Sequence, residues 1–145
     1  MRLELTRRAD YAVRAMLALA ASPDRLSVAT IAARMAIPVG FLPQVMRDLV
    51  AGGLVTASPG RAGGYRPARD PAGVTVLEVI EAIEGDSRRR ACVLRNAPCG
   101  RDGFCDVHQV FAAAQDALLA ELAGTTVGQL AEGARTSSRQ AASTS

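Results

Sequence analysis

The sequence predicts a mainly α-helical fold interrupted by one short β-ribbon. Three observations predict it. Apolar residues recur at three- and four-residue intervals through successive stretches of the 145-residue chain. A loop rich in turn residues, Ser58-Pro59-Gly60-Arg61-Ala62-Gly63-Gly64, lies between two short strand-like runs. Between two of the helical stretches stands Ile37-Pro38, and proline disfavours the α conformation in the residue before it.

Taken in order, Thr6 caps a first helix in which Ala9, Val13, Met16, Leu17 and Ala20 repeat at helical spacing, and Ser22-Pro23 ends it. Ser27 caps a short second helix with Val28, Ile31, Ala32 and Met35 inward. A third helix over Val39 to Ala51 turns Leu42, Val45, Met46, Leu49 and Val50 to the core, and Gly40, Pro43, Gln44 and Arg47 outward. Pro43 falls near its first turn, where a missing N–H costs little, and Gly52-Gly53 stops it. Leu54–Ala57 and Tyr65–Pro67 form the ribbon. Two short helices joined by a tight turn, then a β-ribbon with Arg at its tip, describe a winged helix-turn-helix.

Thr75-Val76-Leu77-Glu78 is a capping box opening a fourth helix, apolar at Val76, Val79, Ile80 and Ile83, with Gly85 as its stop. A polar, cysteine-bearing loop spans 86–105. A long helix follows from Asp106 to Ala123, with Val107, Val110, Phe111, Ala114, Leu118 and Leu122 on one face, and Thr126–Gln129 caps a final short turn. The expected organisation is therefore a DNA-binding domain at 1–85, the cysteine loop at 86–105, a dimerisation helix with its terminal turn at 106–132, and a disordered tail of Ser, Thr, Ala and Arg at 133–145. No internal repeat is visible.

The net charge of +3 conceals an asymmetry. Residues 1–69 hold ten Arg against four acids, whereas residues 70–145 hold seven Arg against ten acids. Replacement of every Lys by Arg is a compositional bias, but bias does not give the two halves opposite signs. A basic first half is the electrostatic footprint of a nucleic-acid-binding module. No apolar run approaches the roughly 18 residues of a membrane span. The first residues lack the apolar core of a signal peptide, so a cytoplasmic location is expected. In that compartment three cysteines read as metal ligands before disulfide partners.

Those cysteines are the most concentrated chemical signal in the chain. Cys92, Cys99, Cys105 and the single histidine, His108, read C-x6-C-x5-C-x2-H, a donor set able to close one metal or iron–sulfur site. Zinc sites usually bring their cysteines in tighter knuckles, although spacing alone does not name the metal. Gly100 and Gly103 allow backbone N–H groups close to cluster sulfurs, and Arg88-Arg89-Arg90 offers cations to a negative cluster or is simply a solvated charge run. An enzyme is not expected: the histidine has no carboxylate at useful spacing, and no phosphate-cradling glycine loop opens a helix.

Tyr11-Ala12-Val13-Arg14-Ala15-Met16-Leu17, Phe41-Leu42-Pro43-Gln44, Gly63-Gly64-Tyr65 and the cysteine–histidine loop occur in the order and spacing of a known family. Over roughly residues 1–131 the sequence resembles the winged-helix iron–sulfur regulators of the IscR, NsrR and RirA type. It departs from them at Pro43, where IscR-like members carry Glu, and at Pro59, where many place Arg. The resemblance implies a homodimeric transcription regulator, expected to be a repressor, that binds double-stranded DNA under control of an iron–sulfur cluster sensing iron, redox state or nitric oxide. Cys92, Cys99, Cys105 and His108 are then the cluster ligands of a [2Fe–2S] centre. The alternative, as in NsrR-like relatives, is a [4Fe–4S] centre with Asp10 of the partner subunit as fourth ligand. Ser27, Val39, Gly40, Phe41, Gln44, Arg47 and Arg61 are the candidate DNA-contacting residues, Gln44 to bases, Arg47 to phosphate and Arg61 at the wing tip. A regulator using thiols or zinc without iron, and a small iron–sulfur electron carrier, are the rival readings; the second leaves the basic half and the wing without a purpose.

Overall fold

The computed structural model describes residues 5–86 and 106–143. Its helices are α1 (Arg7–Ala20), α2 (Val28–Met35), α3 (Leu42–Ala51), α4 (Val76–Glu84), α5 (Asp106–Gly124) and α6 (Val127–Ser143), with strands β1 (Val55–Ser58) and β2 (Gly64–Pro67) between α3 and α4. The architecture is the expected winged helix-turn-helix, mainly α with a two-stranded antiparallel wing.

Helix α1 is the hub. Thr6 caps it, its hydroxyl accepting from the Ala9 N–H at 3.2 Å. Ala9, Tyr11, Ala12, Ala15, Met16, Ala18 and Leu19 are all buried, a wider apolar surface than one stripe. The breadth follows from its neighbours, since α1 packs against α2, α3, α4, α6 and β2. Small Ala side chains let those elements approach closely, while Met16 and Leu19 fill the centre with Ile31, Leu42, Met46, Leu49, Val55, Val74 and Val79. Burial of each Leu or Met in such a core contributes roughly 1.5–3 kcal/mol.

Ser27 caps α2 as expected, and the helix ends at Ala36 in the left-handed region, φ 51°. The third helix differs from expectation at its start. Val39–Phe41 form a 3-10 turn and the α-helix begins only at Leu42. Pro43 has no N–H to give to Val39, so the tighter bonds from Phe41 to Pro38 (3.1 Å) and from Leu42 to Val39 carry the entry instead. Val50, placed inward by the spacing, is exposed at the helix end, whereas Leu42, Val45, Met46 and Leu49 are buried.

The wing pairs Val55 with Pro67, Thr56 with Arg66, Ala57 with Tyr65 and Ser58 with Gly64. Leu26 adds a third, single-residue rung: its N–H donates to the Tyr65 carbonyl (2.9 Å) and its carbonyl accepts from Tyr65 (2.8 Å). Gly64 makes that rung possible. Its φ is +123°, and a Cβ there would lie 2.7 Å from the Leu26 oxygen.

The Thr75–Glu78 capping box is present with both arms made. The C-terminal segment departs most from expectation. Thr126 and Gln129 cap the last element as expected, but it is no short turn before a disordered tail; Val127–Ser143 is one helix, so the 133–145 tail is helical as far as residue 143. Val127 and Ala131 are its buried contacts, and α6 lies on α1 and on the 3-10 turn Pro71–Gly73, where a Cβ on Gly128 would lie 2.9 Å from the Ala72 backbone. Low apolar content beyond residue 131 hid this helix, since few periodic positions remain to be counted. Helix α5 packs against α4 yet leaves Val107, Val110 and Leu118 exposed.

Candidate nucleic-acid interface

The helix-turn-helix presents α3 outward by anchoring its other side. Ile37 is buried in the turn, and Leu42, Val45, Met46 and Leu49 pin the helix to α1. This leaves Val39, Gly40, Phe41, Gln44 and Arg47 on the exposed side, together with Ser27 at the start of α2. Phe41 is 50% exposed while its ring sits 5.7 Å from that of Tyr11, so one face is held and the other offered to solvent. Ser27 spends its hydroxyl on the helix cap, accepting from Thr30 N–H at 3.1 Å.

The polar side chains of α3 are not independent. Gln44 Nε2 donates to Asp48 Oδ1 at 2.9 Å, and Arg47 Nη2 donates to Gln44 Oε1 at 2.8 Å. The other oxygen of Asp48 receives Arg8 Nη2 from α1 at 2.5 Å. Positions 44, 47 and 48 share a helix face, which is why these bonds close within one turn. Asp48 carried no role in the sequence reading; the i, i+4 interval to Gln44 was the available signal.

At the wing, Arg61 is exposed at the hairpin tip as expected. The structure adds two cations to it. Arg25, from the loop before α2, and Arg66, outward-facing in β2, line one open polar cleft with Arg61, Pro23, Asp24, Ala62 and Gly63. Arg25 is also tied to the ribbon, Nη1 donating to the Gly64 carbonyl at 3.3 Å. Arg66 was legible from strand alternation, whereas nothing local marks Arg25 as part of the wing.

The metal candidates divide. Cys92, Cys99 and Cys105 lie outside the described residues, as do Arg88–Arg90, Gly100 and Gly103. His108 stands exposed in the first turn of α5. Asp10 is paired with Arg14 one helical turn on. Arg14 also donates to the Met35 carbonyl at the end of α2 (2.9 Å) and lies 5.1 Å over the Tyr11 ring. The hydrogen bond that Arg14 donates to Asp10 is the main cause that raises the Arg14 pKa above its ordinary value, against the desolvation that lowers it. Among the described residues no three His, Cys, Asp or Glu side chains gather closely enough to hold a metal ion. The donor chemistry of three thiolates and an imidazole nonetheless suits an iron–sulfur cluster, and His108 keeps the exposure a ligand needs.

The family profile of Rrf2, an iron-dependent transcriptional regulator, matches residues 5–133. The chain belongs to the Rrf2 family. Among Rrf2-like proteins, an rrf2-like HTH-type transcriptional regulator of Rhodobacter capsulatus is 32% identical over 118 residues, covering 74% of this chain and 79% of that protein. The HTH-type transcriptional regulator IscR of Escherichia coli is 31% identical over 130 residues, covering 88% of this chain and 80% of IscR. The IscR structure from T. potens superposes with a TM-score of 0.75 at 25% identity over 91% of this chain and 88% of that one. CymR of B. subtilis, described as its global cysteine regulator, shares the fold with a TM-score of 0.79 at 23% identity, over 90% and 98% of the two chains. This Rrf2 protein is accordingly a DNA-binding transcription regulator and not an enzyme. No helix among its described residues is long and apolar enough to cross a membrane.

Proposed function

We propose that this Rrf2 protein is a dimeric regulator, a repressor by preference, whose operator affinity is set by an iron–sulfur cluster sensing iron, redox state or nitric oxide. The observation that carries the reading is the Cys92, Cys99, Cys105, His108 donor set, whose histidine stands in the first turn of α5, in a chain matched to an iron-dependent family. When bound, the cluster supplies a redox- and nitric-oxide-reactive centre that exists in alternative states. The three thiolates and His108 would hold it, with a [2Fe–2S] centre preferred; Asp10 of the partner subunit is the alternative fourth ligand, and to serve it would have to leave Arg14.

On the DNA side, Gln44 reads a base edge, because a carboxamide pairs bidentately with adenine in the major groove. Val39 and Phe41, half-exposed apolar side chains, suit thymine methyl groups, and Arg47 suits phosphate. Ser27 and Gly40 allow close backbone approach. Arg61, with Arg25 and Arg66, meets the backbone or minor groove beside the wing. The exposed Val107, Val110 and Leu118 of α5 suit the same helix of a second copy, which would set two recognition helices about 34 Å apart on the duplex.

Anaerobic purification with iron and sulfide analysis tests the cluster. A visible chromophore that disappears in the triple Cys92, Cys99, Cys105→Ser variant is the expected result, and unchanged iron content in that variant overturns the assignment. A colourless, iron-free protein whose DNA affinity still responds to thiol oxidation would establish the thiol-based reading, and zinc in place of iron the zinc-based one. His108→Ala is expected to change the spectrum and its decay rate more than Asp10→Ala; the reverse order moves the fourth ligand to Asp10.

A further inference from the structure

We propose that Asp48, anchored to α1 by Arg8, is a positioning residue for sequence readout: it holds the Gln44 carboxamide in one orientation toward the DNA. This inference rests on the reading of Gln44 as a base contact. A carboxylate only accepts hydrogen bonds and a guanidinium only donates them, so Asp48 and Arg47 make opposite demands on the two ends of the Gln44 amide. Asp48 Oδ1 takes the Nε2 end at 2.9 Å, and Arg47 takes the Oε1 end at 2.8 Å. A flipped amide would set oxygen against carboxylate and N–H against guanidinium, so a single orientation is selected.

The amide carries two N–H groups and two lone pairs, and these two bonds use one of each. One donor and one acceptor remain, the two kinds of group that the adenine N7 and N6 require. Asp48 is itself fixed from outside the helix, because Arg8 of α1 occupies Oδ2 at 2.5 Å. The clamp therefore connects the recognition helix to the hub of the core, and the rotamer freedom of Gln44 is spent on folding before DNA arrives.

Asp48 carries an opposite effect that makes the proposal separable from a structural role. It is an acid on a DNA-facing surface, and its removal takes away a negative charge and releases Arg8 for phosphates. Asp48→Ala should thus tighten binding to arbitrary duplex while loosening discrimination. A helix-destabilising effect would weaken both, and a purely electrostatic one would strengthen both equally.

The test uses the full chain with its metal content as purified. Binding to a random-sequence duplex library, followed by sequencing, supplies the preferred site, and fluorescence anisotropy then compares that duplex with a scrambled one. Gln44→Ala should lower the specific-to-nonspecific ratio by about tenfold, the low end of a bidentate base contact. Asp48→Ala should lower the ratio by about threefold to tenfold through lost preorganisation while raising affinity for the scrambled duplex. In the Gln44→Ala background, Asp48→Ala should leave the ratio unchanged. Arg8→Ala, which cuts the anchor without altering α3, should lower the ratio in the same direction and covers the case in which Asp48→Ala fails to fold. If Gln44→Ala lowers the ratio while Asp48→Ala and Arg8→Ala leave it intact, the positioning role is overturned and the base reading stands. If Gln44→Ala itself leaves the ratio unchanged, the base reading falls and the positioning role falls with it.

Discussion

At the scale of single residues, Glu78 joins two kinds of structure. Its carboxylate accepts from the Thr75 backbone N–H at 2.8 Å to complete the cap of α4, and its other oxygen pairs with Arg69, which in turn donates to the Gly73 carbonyl at 2.9 Å. The Thr75 backbone hydrogen bond, then Arg69, depress its pKa below the ordinary 4.5, outweighing desolvation. A depressed acid stabilises the fold in its charged form, so the contribution is complete above that ordinary value and is lost as pH falls from there through the lower folded-state value. Glu78→Ala should cost about 1 kcal/mol at neutral pH, a typical cap contribution, with the salt link adding little because both partners are substantially exposed. Urea titrations of both proteins should show this difference shrinking below pH 4.5. A difference that stays constant into acid would show that the carboxylate charge contributes nothing.

At the scale of elements, α5 carries an unmatched apolar surface. Its exposed Val107, Val110 and Leu118 account for the expectation that it dimerises, and Val110, 68% exposed in the single chain, is the most sensitive point. If α5 pairs two copies as proposed, Val110→Glu should shift the protein to monomer in sedimentation equilibrium while leaving its circular dichroism essentially intact; a variant that stays dimeric would place the interface elsewhere. Elements with their own local signals were legible in the sequence: the caps at Thr6, Ser27 and Thr75, the turn chemistry of the wing, and the break at Pro38. What was not legible depended on distant partners. Val50 continued the apolar spacing of α3 but lay past the surface that α1 covers, and α6 showed few periodic residues because α1 and the Pro71–Gly73 turn supply its docking site from more than 50 residues away. The DNA-facing candidates were legible as a polar stripe, yet the bonds from Asp48 to Gln44 and to Arg8 depend on side-chain geometry. Arg25 reaches the wing through the tertiary rung at Leu26, which no local pattern announces.

At the scale of the whole molecule, the charge asymmetry becomes a surface. Arg25, Arg47, Arg61 and Arg66 all belong to the recognition helix or the wing side. If all four meet phosphates in each half of a dimer, the logarithm of affinity should fall with the logarithm of salt concentration at a slope on the order of −7. Arg61→Ala should flatten that slope by about 2 and weaken binding evenly across sequences; an unchanged slope would remove the wing tip from the contact. The placement of Val127 has a different kind of consequence. Fully buried, it belongs to the same core as Tyr11, Met16 and Leu42, and its N–H closes on the Val74 carbonyl at 2.8 Å. During translation, the ribosome makes the DNA-reading half more than 50 residues before this plug emerges. The nascent winged helix must therefore wait with a gap beside its central helix, and it locks only after the cysteine segment and α5 have also left the exit tunnel. Synthesis order thus makes the arrival of α6 a condition for completing the core around α1.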